Sequence, residues 1–357
     1  MDSPDIAIFL DSRQLGGIET HVLHLARGLK QFGYSPVILF YSRYNADHPL
    51  EPLLHQHKIP FQYLAGKINS LYQWCTQYSP ALLHTHGYKA GLFGRVTGRL
   101  TKTPVVSTFH NGDLGTGLVR LYTWLDQLTC RLSTNIAVSP EIANRLPAPV
   151  KLMNNFIEAP QWQMNNGSEI AFVGRLSHEK GPDLFLQLAK HLPDRHFTVY
   201  GSGDMHGSLA TSRASNVSFT GQIISMEPHW HQVGLLCITS RQEGLPLAAL
   251  EAMAHGVPVL SFAVGALPKL IQSGSNGWII SDGDIKKMSQ QVQAWLKLSD
   301  EEKRCLANNC IETVRKQYSY DAVIPDLLSL YKQVTNQKGY IWPEPEPKQV
   351  KALSREQ

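Results

Sequence analysis

A chain of 357 residues exceeds what one ordinary hydrophobic core organises, so two domains are expected. Its 17% charged and 43% apolar residues exclude a disordered chain, its apolar runs are too short to span a bilayer, and Met1-Asp2-Ser3-Pro4-Asp5 lacks the basic start of a signal peptide, so a cytoplasmic location is expected. Five cysteines, an odd count without a CxxC pair, argue against a disulfide or zinc framework, and the net charge of +4 lies wholly in residues 1–160, with 14 Lys/Arg against 10 Asp/Glu.

Ile6-Ala7-Ile8-Phe9-Leu10 reads as a buried strand. A loop ending in Gly16-Gly17 follows, then a helix with Ile18, Val22, Leu25, Ala26 and Leu29 at helical spacing, stopped near Gly33, and a second strand over Pro36–Tyr41. A strand–glycine loop–helix–strand unit aims backbone N–H groups and a helix's positive end at an anion. Ala81–His84, Val105–Phe109 and Thr134–Ser139 continue the strands, alternating with helical stretches such as Gly117 to Leu132. That alternation predicts an α/β fold with a doubly wound parallel sheet. His110 falls at the carboxyl end of a strand and is followed by Asn111-Gly112-Asp113. Fifteen histidines are many, but His84-Thr85-His86 has a spacing of two, unlike the helical spacing of a zinc protease. Structural or ligand-contacting histidines are therefore expected before metal ligands.

Lys89, Arg95, Arg99 and Lys102 share a helical stretch with Leu92, Phe93, Val96 and Leu100 on its apolar side. Peripheral contact with an anionic membrane face is one reading and a solvated helix face the other. Nucleic-acid binding would require a stronger basic patch with interleaved aromatics, so no nucleic-acid partner is expected. Asn154–Glu158 and Gln161–Ser168 are polar and aperiodic and read as the crossing between domains.

The second half restarts the pattern. Ile170–Gly174 is a strand followed by Arg175, and Lys180-Gly181-Pro182 opens a helix carrying Phe185, Leu188, Ala189 and Leu192. The strand His196–Gly201 runs into Gly201-Ser202-Gly203-Asp204, which lacks the full dinucleotide fingerprint, so a nicotinamide site is disfavoured. Val217–Gly221, Gly234–Thr239 and Val257–Ser261 extend the sheet. Between the last two lies Ser240-Arg241-Gln242-Glu243-Gly244-Leu245-Pro246-Leu247-Ala248-Ala249-Leu250-Glu251. Pro246 suits a first helical turn and Gly256 the residue past the helix end. Leu247, Leu250 and Ala254 then share a face for the sheet, while Ala248, Glu251 and His255 share another. The resulting frame is 1–158 as first domain, 159–318 as second, 319–334 as a final helix and 335–357 as a mobile tail.

Two such domains face each other across a cleft at the carboxyl ends of both sheets. Arg175 and Lys180 beside a helix start suit a diphosphate, since Arg grips two oxygens and Lys adds a point charge. Fixed cations there can stabilise a departing diphosphate without a metal.

Glu243-Gly244-Leu245-Pro246…Glu251-Ala252-Met253-Ala254 and Gly256-Val257-Pro258-Val259 resemble the signature of glycosyltransferase family 4. Phe172-Val173-Gly174-Arg175-Leu176…Glu179-Lys180-Gly181 is similar to that family's phosphate-binding segment, Gly16-Gly17-Ile18-Glu19 to its glycine loop, and Thr108-Phe109-His110-Asn111 to its donor-side histidine. Ala137-Val138-Ser139 and Asn155-Phe156-Ile157-Glu158 also match, with Phe156 and Leu245 departing from the commoner Gly and Phe. The likeness runs from Ile6 to about Tyr331.

The resemblance implies the GT-B architecture: two Rossmann-like domains, with a C-terminal helix returning to the first. It implies retaining, metal-independent transfer from a nucleotide-diphosphate sugar to a glycan, lipid-linked or small-molecule hydroxyl, with uridine expected over guanosine and surface polysaccharide or glycolipid as the product. It further implies that Arg175 and Lys180 bind the diphosphate with Gly16, Gly17 and Gly174, with Gly201 and Gly203 also lining the donor. Glu243 and the backbone of Gly244, Leu245, Pro246 and Leu247 would hold the sugar, Glu251 the ribose, and His110 the sugar from the opposite wall. The leaving phosphate would take the acceptor's proton, so neither glutamate needs a raised pKa. A sugar-nucleotide 2-epimerase and a non-catalytic nucleotide-sugar-binding protein share the architecture and stay open.

Overall fold

In the computed structural model of the chain, residues 4–110, 117–159, 167–212, 214–336, 340 and 342 are described. The expectations for Asn111–Asp113, for most of the crossing at 161–168 and for most of the tail fall outside them.

Two all-parallel sheets account for the architecture. The first has seven strands: β1 (Ile6–Leu10), β2 (Pro36–Phe40), β3 (Phe61–Tyr63), β4 (Leu82–His86), β5 (Val105–Phe109), β6 (Thr134–Ala137) and β7 (Val150–Leu152), in spatial order β3-β2-β1-β4-β5-β6-β7. The second has six: β8 (Glu169–Val173), β9 (Phe197–Tyr200), β10 (Val217–Gly221), β11 (Val233–Ile238), β12 (Val259–Phe262) and β13 (Gly277–Ile280), in order β10-β9-β8-β11-β12-β13. Each sheet reverses its winding once, between β1 and β4 and between β8 and β11. A crevice opens at such a reversal, and that is where open α/β sheets hold ligands. The two-domain Rossmann-like expectation is met.

Strand formation follows burial. β1, β2, β4 and β11 are buried along their whole length, because helices cover both faces of a parallel sheet. β3, β7 and β13 escaped the sequence reading: all three are short strands at a sheet edge and only partly buried.

The helix Tyr320–Asn336 leaves the second domain and packs into the first. Ile324, Leu327, Leu328 and Tyr331 join the core formed by β1, β2 and the helix Gly17–Gln31. Tyr340 and Trp342 follow it there, with Trp342 Nε1 donating to Thr335 Oγ1 at 2.7 Å and Tyr340 OH to Asp5 Oδ1 at 3.0 Å. This part of the tail is docked, because two aromatic side chains find apolar seats that no periodicity announces.

The helix Tyr88–Thr101 turns the opposite way from the expectation. Its buried face is Ala90, Gly91, Gly94, Arg95, Thr97 and Gly98, while Leu100 is 65% exposed. Closeness decides this: a Cβ on Gly94 would stand 2.3 Å from Thr85 Cγ2, and one on Gly98 would stand 2.2 Å from Val105 Cγ2. Small residues let the helix sit on the sheet, so bulk moved outward. Arg95 is buried and paired with Asp126 at 2.6 Å, and Lys89 is paired with Asp11 at 3.0 Å. Neither is a free surface cation.

Candidate active site

β8 ends at the sheet's reversal and delivers Gly174 and Arg175, after which a single turn over His178–Lys180 brings Lys180 back across β11. Gly181 then adopts φ +64, where a Cβ would stand 2.1 Å from Thr239 O. Only glycine lets the helix Pro182–Lys190 start so close to β11. β11 in turn delivers Ser240 and Glu243. Lys180 Nζ lies 2.8 Å from both Glu243 carboxylate oxygens, and Ser240 Oγ donates to Glu243 Oε1 at 2.6 Å. Arg241 fastens this loop by a bidentate pair with Asp183 at 2.9 and 2.6 Å. The two segments are thus one rigid unit.

The helix expected from Pro246 begins one residue later, over Leu247–Ala254, with Pro246 extended at its cap. Leu247, Leu250 and Ala254 are buried, whereas Ala248, Glu251 and His255 are only partly buried and border the cleft together with Leu247 and Ala254. Burial pushes the Glu251 carboxyl up to about 7, and the Glu227 carboxylate adds to this against the opposing pull of His255. No local pattern announced this shift, which arises from what the fold packs around the carboxyl.

Arg175 does not join Glu243. Its guanidinium is 59% exposed and pairs with Glu179, four residues on. It still lines the shared cleft and lies near Glu19 of the first domain.

The first domain supplies the facing wall. Gly16 caps the helix Gly17–Gln31, and both Gly16 and Gly17 border the cleft. Glu19, two residues on, is buried and its carboxyl is raised by burial, with Ser12, backbone donors and Arg175 opposing. His110 lines the cleft from the end of β5, and His86 Nδ1 lies 2.9 Å from its Nε2. Loss of solvent holds His110 well below the ordinary imidazole range, as do His21 and His84 nearby. The walls meet where Asn155 Nδ2 donates to Leu245 O at 2.6 Å. The cleft between them measures about 1710 Å³ and is bordered by every residue predicted for the site: Gly16, Gly17, His110, Gly174, Arg175, Lys180, Gly201, Gly203, Glu243, Gly244, Leu245, Pro246, Leu247 and Glu251.

Three groups escaped the sequence reading. Ser240 and Arg241 carried no signal beyond their place before Glu243. Glu19 stood inside the quoted Gly16-Gly17-Ile18-Glu19 loop. Among the described residues, one group could hold a metal ion, His21, His86 and His110, each of which offers a ring nitrogen within 4.8 Å of the others.

Residues 15–152 match the model of Glycosyltransferase Family 4, and residues 167–297 match that of Glycosyl transferases group 1. A D-inositol 3-phosphate glycosyltransferase of Mycobacterium leprae is 26% identical over 180 residues, which is 47% of this chain and 42% of that protein, so the match spans under half of that relative's length. An Escherichia coli UDP-Gal:alpha-D-GlcNAc-diphosphoundecaprenol alpha-1,3-galactosyltransferase is 22% identical over 305 residues, covering 73% of this chain and 78% of that one. The crystal structure of Anabaena Alr3699/HepE in complex with UDP superposes with a TM-score of 0.76 at 16% identity, over 92% of this chain and 100% of that one. Two family models laid end to end across the two sheets, meeting over the cleft just described, establish that the chain belongs to glycosyltransferase family 4.

Proposed function

We propose that the protein transfers a sugar, with retention, from a UDP-sugar to an acceptor hydroxyl, without a metal at the diphosphate. The observation that carries this reading is the Lys180–Glu243 pair, which borders the same cleft as Gly17. Lys180, Arg175 and the start of the helix Pro182–Lys190 provide positive charge for the diphosphate. On donor arrival Lys180 moves its ammonium to phosphate oxygens and Glu243 becomes free to accept from sugar hydroxyls. The anomeric C–O bond to phosphate breaks, the acceptor oxygen bonds to the same face, and its proton passes to the leaving phosphate oxygen. His110 contacts the sugar from the other wall, and Glu251 accepts from ribose hydroxyls.

Uridine is favoured because a structural neighbour holds UDP and the E. coli relative is named for UDP-Gal. That relative's lipid-diphosphate acceptor supports a lipid-linked or glycan acceptor here, in surface polysaccharide or glycolipid synthesis at the cytoplasmic face. Among the described residues, no helix is long and apolar enough to cross a membrane. Peripheral contact is instead assigned to the first domain, where Leu100, Leu121, Trp124, Leu128 and Leu132 are 50–65% exposed and Arg99, Lys102, Arg120 and Arg131 are exposed beside them.

The test is a thermal-shift screen of nucleoside diphosphates followed by transfer assays with the matching sugar donors. UDP raising the midpoint, with sugar consumed only when acceptor is present, supports the reading. Donor conversion without acceptor would favour the epimerase, and binding without turnover the non-catalytic protein.

A further inference from the structure

Five histidines crowd the carboxyl edge of the first sheet and the helix beside it. Two are satisfied by the returning helix: His24 Nδ1 lies 2.7 Å from Tyr320 OH, and His84 is bracketed by Tyr331 OH at 2.5 Å and Thr108 Oγ1 at 2.7 Å. The other three face one another. Ring centroids are 4.6 Å apart for His21 and His110, 5.2 Å for His86 and His110, and 5.4 Å for His21 and His86. His86 is 1% exposed and its Nε2 has no hydrogen-bond partner; His21 is 3% exposed, with the Asn155 side chain as the hydrogen-bonding neighbour of its ring.

Leaving a buried ring nitrogen unpaired is costly, so the orphan Nε2 of His86 calls for a reason. The single internal contact, His86 to His110, leaves lone pairs over. No carboxylate belongs to the cluster, so Mg²⁺ and Ca²⁺, which take oxygen ligands, do not suit it. Imidazole suits zinc, copper, iron and nickel. Ligand atoms on a tetrahedral ion with bonds of about 2.0–2.1 Å stand roughly 3.3 Å apart, so ring rotations of about an ångström close the triangle.

We propose that His21, His86 and His110 form a three-imidazole site for a borderline transition cation of the Zn²⁺ class, set behind the sugar-facing wall of the cleft and separate from the diphosphate cations. Three imidazoles leave a fourth position, a coordination that zinc accepts. Occupancy engages the ring of His110, so the ion controls whether that ring is available to the cleft.

Cobalt(II) titrated into the full chain reports the site by its visible ligand-field bands. Expected are one Co²⁺ per chain, four-coordinate bands that Zn²⁺ bleaches, and at least tenfold weaker binding in both His21→Gln and His86→Gln. His191→Gln, at an exposed histidine, should bind as the parent does. Absence of saturable uptake, or equal uptake by His86→Gln, overturns the proposal. X-ray absorption on the zinc-loaded parent protein needs no substitution: three imidazoles support the site, and fewer overturn it. UDP stabilisation without metal uptake would sink this inference alone and leave the donor reading standing.

Discussion

Lys180 Nζ sits 2.8 Å from each carboxylate oxygen of Glu243, and the two residues come from different strand ends of one sheet. The Glu243 side chain is 6% exposed and that of Lys180 29%. A carboxylate so enclosed depends on its cation, and a cation at the cleft surface can be drawn off by a stronger anion. The pair is therefore a resting state that a diphosphate rearranges.

Removing Lys180 should accordingly cost catalysis more than ground-state binding. Lys180→Met is expected to lower kcat/KM about 10²–10³-fold, because a fixed charge facing the developing phosphate charge is lost. Steady-state kinetics with saturating acceptor measure this. A change below about threefold would remove Lys180 from the diphosphate site.

Glu251 gives donor affinity a pH dependence. Ribose hydroxyls donate to the ionised carboxylate, so binding must first remove the proton that burial retains up to about pH 7. UDP affinity should rise as pH increases from 6 to about 7 and level off above it, with proton release detectable by calorimetry in buffers of different ionisation enthalpy. Glu251→Gln should abolish that dependence.

The same residue ties stability to pH in the opposite sense. Its folded pKa of about 7 lies above the ordinary carboxylate value of 4.5, so between those limits the folded state binds more protons than the unfolded chain. Stability contributed by this group is greatest below about pH 4.5 and declines as pH rises to about 7. Glu251→Gln does not titrate and should be more stable than the parent at pH 8, by ~1–2 kcal/mol, with no such advantage at pH 5. Denaturant melts at both values give the comparison.

Arg95 and Asp126 form a buried ion pair beneath the exposed apolar face of the helix Gly117–Thr129, with Arg95 Nε also donating to Ser133 Oγ at 2.8 Å. Arg95→Leu strands Asp126, whose carboxyl burial already raises to about 6 against the pull of Arg95. A loss of about 3–5 kcal/mol in denaturant unfolding is expected.

That face itself makes a separate prediction. Trp124 is 57% exposed and Leu128 59%. Trp124→Ser with Leu128→Ser should lower co-sedimentation with anionic vesicles at least fivefold while leaving UDP stabilisation unchanged. Equal sedimentation of parent and variant, or no preference of the parent for anionic over neutral vesicles, would exclude the contact.

Sequence alone determined what local chemistry determines. Buried strands such as Ile6–Leu10 announced themselves as unbroken apolar runs, and glycine turns placed Arg175, Lys180 and Glu243 at strand ends, where a parallel sheet must present them. Tertiary structure decided everything that depends on what approaches from elsewhere in the chain. Edge strands such as Phe61–Tyr63 owe their pairing to neighbours, and the helix Tyr88–Thr101 buried its glycines because a sheet lay within a Cβ's reach. The high Glu251 pKa and the meeting of His21, His86 and His110 arise from distances between segments remote in sequence, and desolvation and coordination are properties of such distances rather than of residue order.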